Sequence, residues 1–454
     1  MASSSSAAEL EEDPQPIQPS WAVLSRVAKY TGEDPGELFL KLAMPPHISL
    51  LTIPSRFSEP PKTYYYGDGV HPYIVAANDA GLLLHVSPRS RSGFNLGPEF
   101  RMAASSWRGT SPPADGTGMS GELTATTVRV ADRELELSQF SGVKSVGLLP
   151  VSAPSGFVVA ELQVVENEPG RQSVNLIWFR FSAIANAEGK DKDDKEEENS
   201  WRELVLTCPV FTPGDSAQWD PHDVVAFDGK LWWADLSRGL LVCNPVEPGT
   251  LVPQVSFVAL PDLAGEMFVA LQDRHEDLER IDSRRIVRVS GGRLRFVDVV
   301  RRRGDPPEAT RVVVWTLESA YDPEIGRARW EHHQCITALG EIWGHASYVA
   351  SGMPREFPEL AFLDPDKHSV VYFFLDAYLF SVDVNESAVV EFAAKPRGDV
   401  VQVEGGPQPI NWRYVIAWVV PRFKMVRVLL NLLLQIGDSC CTYLNKFPVE
   451  TAYL

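Results

Sequence analysis

The segment Trp219–Pro261 reads WDPHDVVAFDGKLWWADLSRGLLVCNPVEPGTLVPQVSFVALP. It holds four short apolar runs, VVAF, LWWADL, GLLVCNP and VSFVALP, broken by turn residues. Between the first two stands Asp228-Gly229, the composition of a two-residue hairpin loop whose type I′ turn needs positive φ at both positions. Runs of this length between turns predict one four-stranded antiparallel sheet.

The outline recurs, and the recurrence decides the architecture. IVAA and LLLHV flank Asn78-Asp79-Ala80-Gly81, and LLPVS and GFVVAELQVV flank Ala153-Pro154-Ser155. RIVRVS and RLRFVDVV flank Gly291-Gly292, and VVYFF and YLFSVDV flank Leu375-Asp376-Ala377. A second complete unit spans Ile286–Trp343, with IVRVS, LRFVDVV, RVVVWTL and, after Trp330, CITAL. The hairpins fall roughly 60–85 residues apart, against about 40–50 for an ordinary propeller blade. Two stretches account for the excess and read as loops or disorder: residues 87–121, rich in Ser, Gly and Pro, and the charge run of residues 187–199. Repeated four-stranded units predict an all-β, β-propeller-like body of about five or six blades. A pair of β-sandwiches is the alternative.

The ends read differently. Residues 1–20, MASSSSAAELEEDPQPIQPS, have no apolar core and form no secretory signal; the acids at 9, 11, 12 and 13 speak against a plastid transit peptide. They are expected to be a disordered tail, ahead of a propeller domain over residues 21–421. Within residues 422–454, RFKMVRVLLNLLLQI places Lys424, Arg427, Asn431 and Gln435 along one stripe, which predicts a short amphipathic helix stopped by Gly437. No apolar run is long enough for a transmembrane helix, so the expectation is a soluble cytoplasmic or nuclear protein.

The net charge of −18 over 454 residues argues against general nucleic-acid binding, which needs a basic footprint. One region is basic: residues 280–303 carry arginines at 280, 284, 285, 288, 293, 295 and 301–303. Alternation along a hairpin gives some of them a solvated face, and pairing with the chain's own acids is the expected use. The five cysteines form no CxxC pair, so buried reduced thiols are expected rather than a disulfide or zinc scaffold.

Each chemical motif has a structural reading that outweighs it. Asp220, His222 and Asp223 offer three donors close together, yet Asp-Pro starts turns, and a hydrogen-bonded turn into a strand is expected. His332, His333 and Cys335 suggest a nucleophile pair, but no acid or oxyanion donor can be assigned to them. Gly116–Gly121 spells GxGxxG without the strand and helix that a phosphate cradle requires. Gly437-Asp438-Ser439 and the sequon Asn385-Glu386-Ser387 likewise lack the context that would give them meaning. No catalytic, cofactor or metal residue is therefore assigned. The adjacent Trp232 and Trp233 point to opposite faces of a strand, and a propeller buries both faces against neighbouring blades.

These blocks carry a resemblance. SWAVLSR, LFLKLAMPPHIS, DGKLWWADLSRGLLVCNP, SGGRLRFVDVV, VVVWTL and FPELAFLDPDKHSVVYFFL resemble the plant, chiefly grass, family called domain of unknown function 1618, over roughly residues 20–420. Similar blocks occur in F-box-associated and kelch-like propellers, although no F-box-like helical module precedes residue 60. The resemblance implies a propeller scaffold and carries no catalytic residues. Fold and resemblance together lead to the expectation of a non-enzymatic module that binds a protein partner. One alternative is an enzyme with a site in the central funnel, where Asp220, His222 and Asp223 are the first candidates. The other is a nucleic-acid-associated regulator using the Arg-rich hairpin.

Overall fold

The computed structural model describes residues 20–31, 37–54, 72–79, 81–86, 99–104, 108–110, 122–125, 127–134, 136–151, 156–168, 171–182, 199–209, 219–246, 252–261, 281–301, 304–323, 327–332, 335–375, 378–394 and 415–420. The expected C-terminal helix, the GxGxxG stretch and the Gly437-Asp438-Ser439 triplet lie outside them.

The strands form six sheets. Blade 4 is the WWADL segment: Asp223–Phe227, Lys230–Asp235, Gly239–Cys243 and Ser256–Ala259 pair in sequence order, each antiparallel to the next. Its first turn has Asp228 at φ 50° and Gly229 at φ 68°, and the equivalent turn of blade 5 has Gly291 at 57° and Gly292 at 72°. Both are the positive-φ pair that a two-residue loop between right-twisted strands requires.

Blade 2 is built from Tyr73–Asn78, Gly81–Val86, Glu99–Ala104 and Thr127–Arg129. Blade 3 has Val146–Val151, Gly156–Glu168, Arg171–Ser182 and Trp201–Thr207. Blade 5 has Arg285–Ser290, Arg293–Val300, Arg311–Asp322 and Arg327–Glu331, with Ile336–Ala338 paired to the start of the third strand. Blade 6 has Glu359–Leu363, Val370–Leu375, Tyr378–Asp383 and Ala388–Ala394.

Blade 1 joins residues far apart in the chain. Val415–Val419 is its innermost strand and pairs antiparallel with Trp21–Ser25, from Trp21 opposite Val419 to Ser25 opposite Val415. Ile48–Pro54 and Leu38–Lys41 follow outward, with Glu122–Ala125 and Arg108–Thr110 extending the edge. The innermost strands of blades 1 to 6 touch in cyclic order, with blade 6 returning to blade 1. The ring is therefore closed, which decides for six blades and against a sandwich pair.

Strand alternation explains the packing. In blade 4, Trp233, Leu231, Leu241 and Cys243 join Leu149, Val158, Leu162 and Leu176 of blade 3 in one buried cluster. Trp232, Ala234, Leu240 and Val242 point the other way and join Val287, Leu294, Phe296 and Val313 of blade 5. The two tryptophans thus bury in different interblade cores, as their adjacency predicts. The same two-sided division builds the cores between blades 2 and 3, 5 and 6, and 6 and 1.

Two sequence expectations are corrected. Residues 87–121 are not all loop: Glu99–Ala104 is the third strand of blade 2, and Phe100 and Met102 are buried in the core against blade 3. Its short EFRMAA run is masked by the surrounding Ser, Gly and Pro. CITAL is not the fourth strand of its unit: Arg327–Glu331 takes that place, Ile336–Ala338 pairs with the start of the third strand, and the chain then forms two six-residue helices, α1 (Leu339–Gly344) and α2 (Ala346–Ser351), each too short to show helical periodicity. Glu341 accepts from the N–H of Ala338 at 3.0 Å at the start of α1, and Gly352 at φ 69° ends α2.

Candidate functional site at the ring axis

Side chains from several blades converge on one group of charges near the axis. Asp223 begins the innermost strand of blade 4, and Arg288 lies on the innermost strand of blade 5. Arg26 follows directly on Trp21–Ser25, where the chain leaves blade 1 and runs beside the start of blade 2. There Ile74 N–H donates to the Arg26 carbonyl at 2.7 Å, and Val27 bridges Tyr73. This backbone step carries the Arg26 side chain toward the axis.

The Asp223 carboxylate holds both guanidiniums. Arg288 Nη2 donates to its Oδ2, and Arg26 Nη2 lies 3.7 Å from the same oxygen. Oδ1 accepts from the Val224 N–H at 2.8 Å. Arg26 also donates to backbone, Nε to the Val415 carbonyl at 3.3 Å and Nη1 to the Val75 and Ile74 carbonyls at 3.3 and 3.5 Å, and hydrogen-bonds the Tyr73 side chain. Its guanidinium carbon also sits 5.6 Å from the centre of the Tyr73 ring. Burial alone would raise the Asp223 carboxyl, but the charges of Arg288 and Arg26 outweigh it and hold the group below its ordinary range. Burial works against the Arg26 charge too, and Tyr73 and Asp223 reverse it. The result is an ion cluster whose members face each other.

The remaining polar residues of the WDPHD turn disperse. His222 is buried in the turn entering blade 4, with its Nδ1 3.4 Å from the Leu236 N–H and its Nε2 3.8 Å from the exposed carboxylate of Asp220. The Asp220 N–H donates to Asp235 at 3.1 Å. The three donors therefore divide between a turn and the axis, because Asp223 opens a strand and its predecessors do not. Among the described residues, no group of three or more His, Cys, Asp or Glu is placed to hold a metal. Cys335 is buried in the core between blades 5 and 6, where burial pushes its thiol up to about 12. His332 packs edge-on against Trp315, with centroids 5.0 Å apart; His333 lies outside the described residues.

The Arg-rich hairpin is likewise turned on the protein itself. Arg285 pairs with buried Asp298 at 3.0 Å, Arg293 with Glu318 at 2.8 Å, and Arg295 donates to Thr316. Arg284 lies over Phe357 and Arg301 bonds the Asp305 carbonyl. Arg280, Arg302 and Arg303 lie outside the described residues.

Two buried groups give no signal in the sequence. Glu161 accepts from Arg133, Ser141, Ser145 and Gln163, and so ties the connection between blades 2 and 3 to the blade 3 sheet. His85, in the second strand of blade 2, stacks on Phe140 and meets Phe100 edge-on. Burial lowers its pKa to about 4. An imidazole depressed from 6.5 stays neutral in the fold while the unfolded chain takes up the proton. Its contribution to stability is complete above about pH 6.5 and is lost as pH falls toward 4, to about 3 kcal/mol. Denaturant unfolding at pH 7 and pH 4.5 measures this, and a His85→Leu variant should lose less stability over that interval than the wild type. Equal losses would contradict a buried neutral histidine.

The ring, its six sheets of four or more strands and the interblade cores define a closed six-bladed β-propeller. Residues 233–372, from blade 4 into blade 6, match the family model described as protein of unknown function (DUF1618), in support of the resemblance carried by the WWADL and RLRFV blocks. No curated protein matches the chain. Among solved structures, that of apo AztD from Citrobacter koseri is similar over 79% of this chain and 82% of the other, at 10% identity and a TM-score of 0.29. No helix among the described residues is long and apolar enough to cross a membrane.

Proposed function

We propose that the protein is a non-enzymatic interaction module that binds another protein through the outside of its propeller. The observation that supports this reading is a set of exposed apolar side chains on and beside the outermost strand of blade 6. On the outermost strand of blade 6, Val390 and Phe392 are 51% and 48% exposed, and Val349 on α2 is 60% exposed. Helix α2 packs on that strand, with the Val389 N–H donating to Ser347 Oγ at 2.8 Å. Large apolar side chains gathered on one rim mark contact surfaces more often than isolated ones do. The axial charges fit the same reading, because they are spent on each other, on backbone carbonyls and on Tyr73 rather than offered to a substrate.

The test is affinity capture from cells that express the protein, with the wild type beside a Val390→Ser/Phe392→Ser variant. A defined partner held by the wild type and lost by a variant of unchanged melting temperature is the expected result. Recovery of no partner above control, or equal recovery by both, would overturn the reading.

A further inference from the structure

We propose that Arg26 is a latch on ring closure, and that Asp223 sets its grip from across the ring. Blade 1 is the blade in which Trp21–Ser25 meets Val415–Val419, so hydrogen bonds stand there in place of chain continuity. Arg26 is the next residue after the first of those strands, and its Nε bonds the carbonyl of Val415, the first residue of the second. The same guanidinium reaches the Val75 and Ile74 carbonyls of blade 2 and the Asp223 carboxylate of blade 4. In a six-membered ring blade 4 lies opposite blade 1. One buried side chain therefore spans the closing blade, its neighbour and the blade across the axis, and its charge is balanced from the far side.

A buried guanidinium that loses its carboxylate is left uncompensated and must seek water. The Asp223 side chain is already 24% exposed, against 10% for Arg26, so the Asp223 end reaches water without opening blade 4. The Arg26 end gains water when the pairing of residues 21–25 with 415–419 opens, which unfolds no blade made of contiguous chain. Neutralising Asp223 should thus loosen the blade opposite to it more than its own.

Hydrogen-exchange mass spectrometry on the full chain tests this. In Asp223→Asn, which keeps an acceptor for the Val224 N–H, exchange in peptides covering 21–25 and 415–420 should quicken by at least about tenfold. Peptides covering 230–243 in blade 4 should change by less than about threefold, since local openings report their own free energies. Arg26→Lys, which keeps the charge but loses the planar fork to Val415 and Val75, should give the same selective loosening. Arg288→Met, which leaves the Arg26–Asp223 contact in place, should keep residues 21–25 and 415–420 protected. Loosening confined to blade 4, or spread evenly over all six blades in the Asp223 and Arg26 variants alike, would overturn the proposal.

Discussion

A chain ending at Tyr414 is expected to lose the cooperative folding that a chain ending at Val420 keeps. The five residues Val415–Val419 are the innermost strand of blade 1. Val415, Ile416 and Trp418 are buried, and Trp418 Nε1 donates to the Asn78 carbonyl of blade 2 at 3.0 Å. Burying three such side chains is worth roughly 5–9 kcal/mol. That is comparable with the whole stability of an ordinary domain, about 5–15 kcal/mol. Removing the strand also strips Trp21–Ser25 of its ladder partner and Arg26 of the Val415 carbonyl. Thermal melting followed by circular dichroism decides the matter: a Tyr414-terminated chain with a sharp transition within about 3 °C of the Val420-terminated chain would show that closure contributes little.

Trp233→Ala is expected to cost about 3–5 kcal/mol, the range for emptying a large aromatic site in a core. Trp233 is fully buried between blades 3 and 4, and its Nε1 donates to the buried Ser145 carbonyl at 2.7 Å. The substitution therefore opens a cavity and orphans an acceptor at once. Trp233→Phe separates the two effects, since it restores most of the volume and none of the hydrogen bond. Trp232→Ala, on the other face, empties the core toward blade 5 and removes a bond from Nε1 to the Phe227 carbonyl. Unchanged unfolding midpoints for Trp232→Ala and Trp233→Ala would contradict the two-sided burial.

What the sequence discloses is local. Asp228-Gly229 and Gly291-Gly292 name their own backbone conformation, and the alternation around them places each side chain on a face, so blades 4 and 5 can be drawn from residues alone. Blade 1 cannot. Its strands come from residues 21–54, 108–125 and 415–419, and nothing in WAVLS or VIAWV specifies the other as its partner. The axial cluster is hidden for the same reason. Arg26 reads as one more charge at the end of an apolar run, and only the closed ring brings it within reach of Asp223. The charges at Asp220, His222 and Asp223 resemble a unit because they are neighbours in the chain, but a strand beginning at Asp223 sends it inward while its predecessors stay in the turn. The rim of blade 6 gives a fainter signal, since AVVEFAA reads as an ordinary strand and does not show that the register shifts at Val390. That Val390 and Phe392 remain exposed depends on where α2 comes to rest.

The Val420 N–H donates to the Ser20 carbonyl at 3.0 Å, so the two ends of the ring lie one hydrogen bond apart. The order of the blades is in that sense a circular word, and the position at which the chain begins to spell it is a free choice. A short linker from 420 to 20 would join the two strands of the seam, Val415–Val419 and Trp21–Ser25, and a cut in a connection between two other blades would move the seam there. The entropy of closing a longer loop grows only slowly with its length, by about 0.6 kcal/mol per doubling, so the shift alters where the ring opens far more than whether it forms. Blade 1 is special by connectivity alone, and permuting the chain would pass that weakness to whichever sheet is cut.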